Sequence, residues 1–124
     1  MTAHEKVAHY QHASGVEAID FLKHLDFIRG NAMKYMTRLG QKDDYNKDLK
    51  KSLEYSTMLE EYNVEENGYA PTYPDEALRA VGKYLNWVES NRWETYDYER
   101  QLLLSTSREV SYARNSLMAT LSKD

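Results

Sequence analysis

Apolar residues in this chain recur every three to four positions in segment after segment, and nowhere do they alternate with polar ones. Val16, Ile19, Leu22 and Leu25 make one such stripe, and Ala32, Met33, Met36 and Leu39 a second. Leu49, Leu53 and Ser56 make a third, and Leu78, Val81, Leu85 and Val88 a fourth. Tyr96, Leu103, Val110 and Leu117 repeat every seven, with Thr106 and Ala113 between them. A step of about 100° per residue places each set on one face of a helix, whereas a half-buried strand needs a period of two. The fold class is therefore all-α: a compact bundle of about five helices ending in a long C-terminal helix.

Local signals set the expected boundaries. Ser14 with Glu17 has the spacing of a capping box and opens a helix over 14–26. A helix over 28–39 ends at Gly40, a natural left-handed stop. The next runs over 45–62, with Asp48 in its first turn beside Lys51 and Tyr55 on a polar line. Thr72 or Tyr73 precedes a helix that carries Pro74 in its first turn and runs to about residue 89. Gly82 lies inside it, where close packing is one use for a missing side chain. Asn91 with Glu94 offers another cap, and from Trp93 the pattern stays helical to about Leu121. Both prolines and one glycine fall in 63–74, which reads as a linker. The chain divides into a helical core over 1–62, this linker, and a helical pair over 75–124 that packs on the core or on a sister subunit. A length of 124 residues suits one domain overall.

Charge divides at the same place. Residues 1–51 hold nine Lys/Arg against seven Asp/Glu, and residues 52–124 hold seven against thirteen. The window 28–51 alone carries seven cations and three acids within a chain of net charge −4. Global acidity argues against non-specific DNA binding, and the basic stretch lacks the size and uniform sign of a nucleic-acid patch, so no specific nucleic acid is expected; the local basic window suits a small anion such as a nucleotide phosphate. No run approaches the ~20 apolar residues that span a bilayer, and Met1–Val7 has no apolar signal core. With no cysteine, disulfides and thiolate metal sites are excluded. These features point to the cytoplasm.

The candidate chemistry lies on the second helix. Opposite its Met-rich face, Asn31, Lys34, Tyr35 and Arg38 line up three to four residues apart, and Lys42 continues the line. An amide, a phenol and two or three cations at that spacing form an anion site; a solvated helix face has the same composition. Glu17 and Asp20 are three apart, so both carboxylates can hold a magnesium ion, complement the helix dipole, or pair with the next helix. His9 and His12 are three apart, but the sequence shows no third ligand for a metal. Phosphate loops, dinucleotide-binding glycine motifs, HExxH and GxSxG are all absent.

The ordered residues His9-Tyr10-Gln11, Gly15-Val16-Glu17-Ala18-Ile19-Asp20, Gly30-Asn31-Ala32-x-Lys34-Tyr35-x-x-Arg38-x-Gly40-x-Lys42 and Asp48-Leu49-x-Lys51, with Tyr55, resemble the SaV-like family of tailed-phage proteins. That former domain-of-unknown-function family includes podophage members described as nucleotide kinases. The resemblance covers about residues 8–60. It implies a phage early protein acting in the cytoplasm of the infected bacterial host. It further implies phosphate transfer from ATP or another nucleoside triphosphate to a deoxynucleoside monophosphate such as dTMP or dGMP. Carried over by position, Asn31, Lys34, Tyr35, Arg38, Lys42, Asp48, Lys51 and Tyr55 form the site, with His9, Tyr10, Glu17 and Asp20 nearby. Ser52 departs mildly from the family's pattern, and family members are often longer.

The residue types suit that role. Phosphoryl transfer is mostly positioning and charge stabilisation. Arg38 forks onto phosphate oxygens, and Lys34 and Lys51 act as point charges. Tyr10 or Tyr35 stacks a base, and Asp48 orients a hydroxyl or fixes a cation. Two other functions compete. An all-α magnesium-dependent nucleotide pyrophosphatase would use Glu17, Asp20 and the cluster Glu60, Glu61, Glu65 and Glu66. A non-catalytic protein would bind a nucleotide, or a host protein through the C-terminal helix. The consecutive Leu102, Leu103 and Leu104 on that helix, with Trp87, Trp93, Tyr96 and Tyr98, predict a homo-oligomer.

Overall fold

The computed structural model describes residues 12–41, 44–62 and 70–122. These form six α-helices and no strand: α1 (Ile19–Leu22), α2 (Phe27–Thr37), α3 (Tyr45–Tyr62), α4 (Asp75–Asn91), α5 (Tyr96–Leu104) and α6 (Ser107–Ser122). A 3-10 turn, Trp93–Thr95, joins α4 to α5. The molecule is all-α, with a long C-terminal helix in α6.

One core draws on every helix. Phe21, Met33, Met36, Leu49, Val81, Tyr84, Val88, Tyr98, Leu102, Leu103, Val110 and Leu117 all belong to it. The most extensive contact is α2 against α3, and α6 packs on both α5 and α3. The stripe Ala32, Met33, Met36 and Leu39 is buried as its spacing predicts, which leaves Asn31, Lys34, Tyr35 and Arg38 on the outer side of α2.

The first helix is much shorter than the expected 14–26. Gly15 adopts φ +88°, a left-handed conformation incompatible with a helix start there. Ser14 therefore bonds locally to His12 and Val16 instead of completing a box with Glu17. The break before α2 is made by Asp26, whose carboxylate accepts from the Arg29 backbone N–H at 2.8 Å. That is an N-cap. At the other end Gly40, at φ +73°, turns the chain beyond α2.

The expected single helix over 93–121 is broken at Ser105–Thr106. Ser105 is extended, with φ −123° and ψ 175°. Thr106 and Glu109 then open α6 as a capping box: the Glu109 carboxylate accepts from the Thr106 N–H and hydroxyl at 3.3 and 3.2 Å. The carbonyls around the break converge on Arg29. Its guanidinium donates to Leu102 O at 2.6 Å, Ser105 O at 2.7 Å and Gln101 O at 3.3 Å, and the side chain is wholly buried. An unsatisfied carbonyl at a buried helix end is costly, so this arginine fixes both the break and the position of α2 against α5.

Smaller departures follow from packing. Pro74 occupies the N-cap of α4, one residue outside the helix. Leu78 of the expected stripe is exposed, and Ala77 and Tyr84 take the buried positions. Gly82 faces open space, so it allows no close approach. Asn91 back-bonds to Trp87 O within α4 and does not cap with Glu94. Leu102 and Leu103 are both fully buried and Leu104 is half-buried, so the leucine run exposes none of its members fully.

Candidate functional site

The polar stripe of α2 meets α3 along an aromatic row. Phe27, Tyr55 and Tyr35 follow one another with ring centroids 6.4 and 6.1 Å apart, and the two tyrosines are stacked at an interplanar angle of 19°. The Arg38 guanidinium carbon lies 4.7 Å from the Tyr35 ring centre and the Lys34 Nζ 5.4 Å from it. Both distances fall within cation–π range. Phe27 is 75% exposed, whereas Lys34, Tyr35, Arg38 and Tyr55 are half-buried. Helical spacing explains the arrangement. Phe27, Asn31, Lys34, Tyr35 and Arg38 share one side of α2, and Asp48, Lys51 and Tyr55 share the facing side of α3.

Asp48 is the deepest member. It lies in the first turn of α3 as expected, but it is buried, at 1% exposure, rather than on an open polar line. One carboxylate oxygen lies 3.6 Å from the Arg38 Nη2. The other, Oδ2, is buried with no hydrogen-bond partner. Asn31 donates to its own helix at Phe27 O, 2.8 Å away. Lys51 is exposed, one turn from both Asp48 and Tyr55. On the other flank of Lys34 an open cleft of about 260 Å³ runs between α1 and α2, with Lys23, Phe27, Gly30 and Asn31 in its walls.

Asp20 does not join this group. Asp20 is exposed and lines a separate surface pocket with Lys23, His24 and the start of α4. No cluster of three or more His, Asp or Glu able to hold a metal occurs among the described residues. Glu60 is held by Arg114 of α6 at 3.1 Å. The Ser111 hydroxyl bond keeps its carboxyl below the usual range, and Arg114 adds to this against the opposing effect of burial. His9, Tyr10, Lys42, Glu65 and Glu66 lie outside the described residues.

A second polar assembly lies under the α2–α3 face, and periodicity gave no sign of it. Glu99, fully buried, accepts from Arg92 Nη2 at 2.8 Å, from the Thr95 hydroxyl at 2.8 Å, and from the Tyr84 hydroxyl. Arg92 also donates to Met36 O at 3.1 Å, two residues before Arg38. Burial pushes the Glu99 carboxyl up, and Arg92 with the three hydrogen bonds opposes that. Burial disfavours the Arg92 cation, but Glu99 and Tyr84 overcome it, so its pKa rises. Burial, reinforced by Glu99, raises the Tyr84 hydroxyl well above its ordinary value.

His12 caps this assembly edge-on to Tyr84 and Trp87, at 4.8 and 4.4 Å. Burial, aided by the Arg92 charge, lowers its pKa to about 4. Ser14 N–H donates to its Nδ1 at 3.0 Å, so the proton of the neutral ring sits on the buried Nε2. The only sequence-level signals for this network were the four-residue spacing of Thr95 and Glu99 and the seven-residue spacing of Arg92 and Glu99.

Among known proteins, the model of a family described as a protein of unknown function (DUF3310) matches residues 4–57. That span covers nearly the same residues as the SaV-like resemblance and takes in the whole α2–α3 face from Phe27 to Tyr55. No curated protein and no solved structure matches the chain. No helix among the described residues is long and apolar enough to cross a membrane.

Proposed function

We propose that this protein binds a nucleotide on the α2–α3 face, with phosphate at Arg38 and Lys34 and the base along the aromatic row. The observation that carries this reading is the stacked Tyr35–Tyr55 pair flanked by two cations within 4.7 and 5.4 Å of the Tyr35 ring. An aromatic platform next to fixed positive charge matches the two halves of a nucleotide: a flat apolar ring system and an anion. Lys51 extends the positive field from α3, and the cleft beside Lys34 leaves room for the ligand to enter.

The SaV-like resemblance extends the reading to catalysis. The protein would be a phage early protein in the cytoplasm of the infected host, transferring phosphate from ATP to a deoxynucleoside monophosphate. Positioned cations are the main catalytic need of that reaction, and Arg38 and Lys34 supply them. Magnesium, where it takes part, would arrive on the triphosphate.

A thermal-shift screen against nucleoside mono-, di- and triphosphates tests binding. A ligand specific for the native state adds about 2.7 kcal/mol of stability at a hundred times its dissociation constant. Incubation with ATP and each deoxynucleoside monophosphate, with products resolved by chromatography, tests transfer. Diphosphate formation that is lost in Lys34→Ala supports the kinase. A nucleotide-dependent shift without product supports the non-catalytic binder, and no shift with any nucleotide refutes the site.

A further inference from the structure

On the α2–α3 face Asp48 carries a buried carboxylate oxygen with no hydrogen-bond partner among the described residues. Asp48 is 1% exposed, yet its closest cation, Arg38 Nη2, is 3.6 Å from Oδ1, beyond hydrogen-bonding distance, and its Oδ2 has no partner. An ionised carboxylate accepts up to about four hydrogen bonds, and burying one without them is destabilising. The neighbouring buried positions of α3 show what packing alone selects there: Leu49, Ser52 and Leu59 fill the core without a charge. A fully buried polar atom left unmatched in a native structure calls for an explanation, and a functional partner is one of the few available.

We infer that Asp48 is the acceptor for a hydrogen-bond donor on the nucleoside part of the ligand, reached when Arg38 turns from Asp48 to the ligand's phosphate. This rests on the nucleotide site proposed above and narrows its ligand class. The site takes a molecule carrying both a phosphate and a neutral donor, a sugar hydroxyl or a base N–H. Arg38 is suited to the exchange. Its contacts on this face, the ring of Tyr35 and the long ion pair to Asp48, are each weaker than a bond to a phosphate oxygen at normal charge-assisted distance. The exchange uses both partners: phosphate removes the cation from above Asp48, and the donor then neutralises the unmet demand of the carboxylate.

The test is Asp48→Asn, read by thermal unfolding and by calorimetric titration with dTMP, dGMP and inorganic pyrophosphate. An amide of the same shape removes the buried charge, so the melting temperature should hold or rise. Affinity for dTMP or dGMP should fall about five-fold or more, the difference between a hydrogen bond to a charged acceptor and one to a neutral amide oxygen. Affinity for pyrophosphate, which offers no such donor, should stay level or increase, because a negative charge near the anion has gone. Repeating the titration with the 2′,3′-dideoxy nucleotides identifies the donor. If the Asp48→Asn effect disappears with them, the donor is a sugar hydroxyl; if it persists, it is a base N–H.

Unchanged nucleotide affinity in Asp48→Asn, with wild type binding normally, overturns this inference and leaves the nucleotide site standing. An equal loss for nucleotide and pyrophosphate overturns it as well, since Asp48 would then act only by holding Arg38. Binding of magnesium alone that Asp48→Asn abolishes would assign the carboxylate to a cation instead. Wild type that binds no nucleotide refutes the parent reading. Asp48→Ser serves as a second variant where the amide does not pack, and collapse of both makes Asp48 structural and overturns the inference.

Discussion

Replacing Arg38 by lysine separates a phosphate site from a solvated helix face. Lysine keeps the charge but loses the planar fork that meets two phosphate oxygens at once. It also loses the flat contact with Tyr35, where the guanidinium carbon lies 4.7 Å from the ring centre. That contact is worth about 0.5–1 kcal/mol at a partly exposed site. The ion pair with Asp48 is already long at 3.6 Å and is open to an ammonium, so it adds little to the loss. Arg38→Lys should therefore reduce unfolding free energy by about 1 kcal/mol at most. The ligand-bound state loses more, because a charge-assisted hydrogen bond is worth about 1.5–3 kcal/mol. That is about a ten- to hundred-fold drop in affinity. Urea unfolding and calorimetric titration with the best nucleotide from the screen read the two quantities independently. Equal affinities in wild type and variant would remove Arg38 from the site, and most of the case for the α2–α3 face with it.

Other expectations concern the network beneath that face and the surface. Glu99→Gln strands the buried Arg92 cation and presents an amide to three donors, so it should cost about 3–5 kcal/mol in urea unfolding. The double variant Arg92→Met/Glu99→Leu should cost far less than the sum of its parts, and additive losses would refute the coupling. His12 has a folded pKa of about 4 against 6.5 for the free side chain. The unfolded chain therefore binds the proton first: stability is full above about pH 6.5 and declines as pH falls toward 4, with a slope of at most about 1.4 kcal/mol per unit. His12→Phe should flatten that decline between pH 6.5 and 5, and an unaltered slope would exclude His12 as its source. Self-association is still expected, now through exposed Met118 and Leu121 on α6 rather than through the leucine run. A light-scattering mass of 14.6 kDa at micromolar concentration would contradict it.

The helices were legible wherever a stripe and its stop signal agreed. α3 spans Tyr45–Tyr62 as its pattern predicts, and α2 keeps Ala32, Met33, Met36 and Leu39 buried. The errors arose where a local conformation or a distant partner overrode the period. Gly15 at φ +88° cancels a capping box that Ser14 and Glu17 spell correctly. The seven-residue repeat from Tyr96 to Leu117 survives the break at Ser105, because all but half-buried Tyr96 point into the core from two helices as they would from one. Thr106 and Glu109 announce the new start in the sequence. The other half of the break is Arg29, more than seventy residues away, whose three carbonyl bonds no local pattern encodes.

The face of the candidate site was legible for a related reason. Its members lie on two sequence-adjacent helices, so helical spacing alone brings Lys34, Tyr35 and Arg38 together and, separately, Asp48, Lys51 and Tyr55. Spacing does not report depth. Asp48 and Lys51 stand one turn apart on α3, yet one is buried and the other exposed, because only Asp48 falls under the C-terminal end of α2. That end is fixed from below: Arg92, itself anchored by Glu99 and Thr95, donates to Met36 O, so the α4–α5 junction sets the height at which Arg38 crosses Asp48. The half of the chain without a nucleotide-like pattern thus supplies the rigidity on which the patterned half depends. The phosphate role proposed for Arg38 needs that support, since a guanidinium that has lost its preorganisation gives up in ordering what it gains in contact.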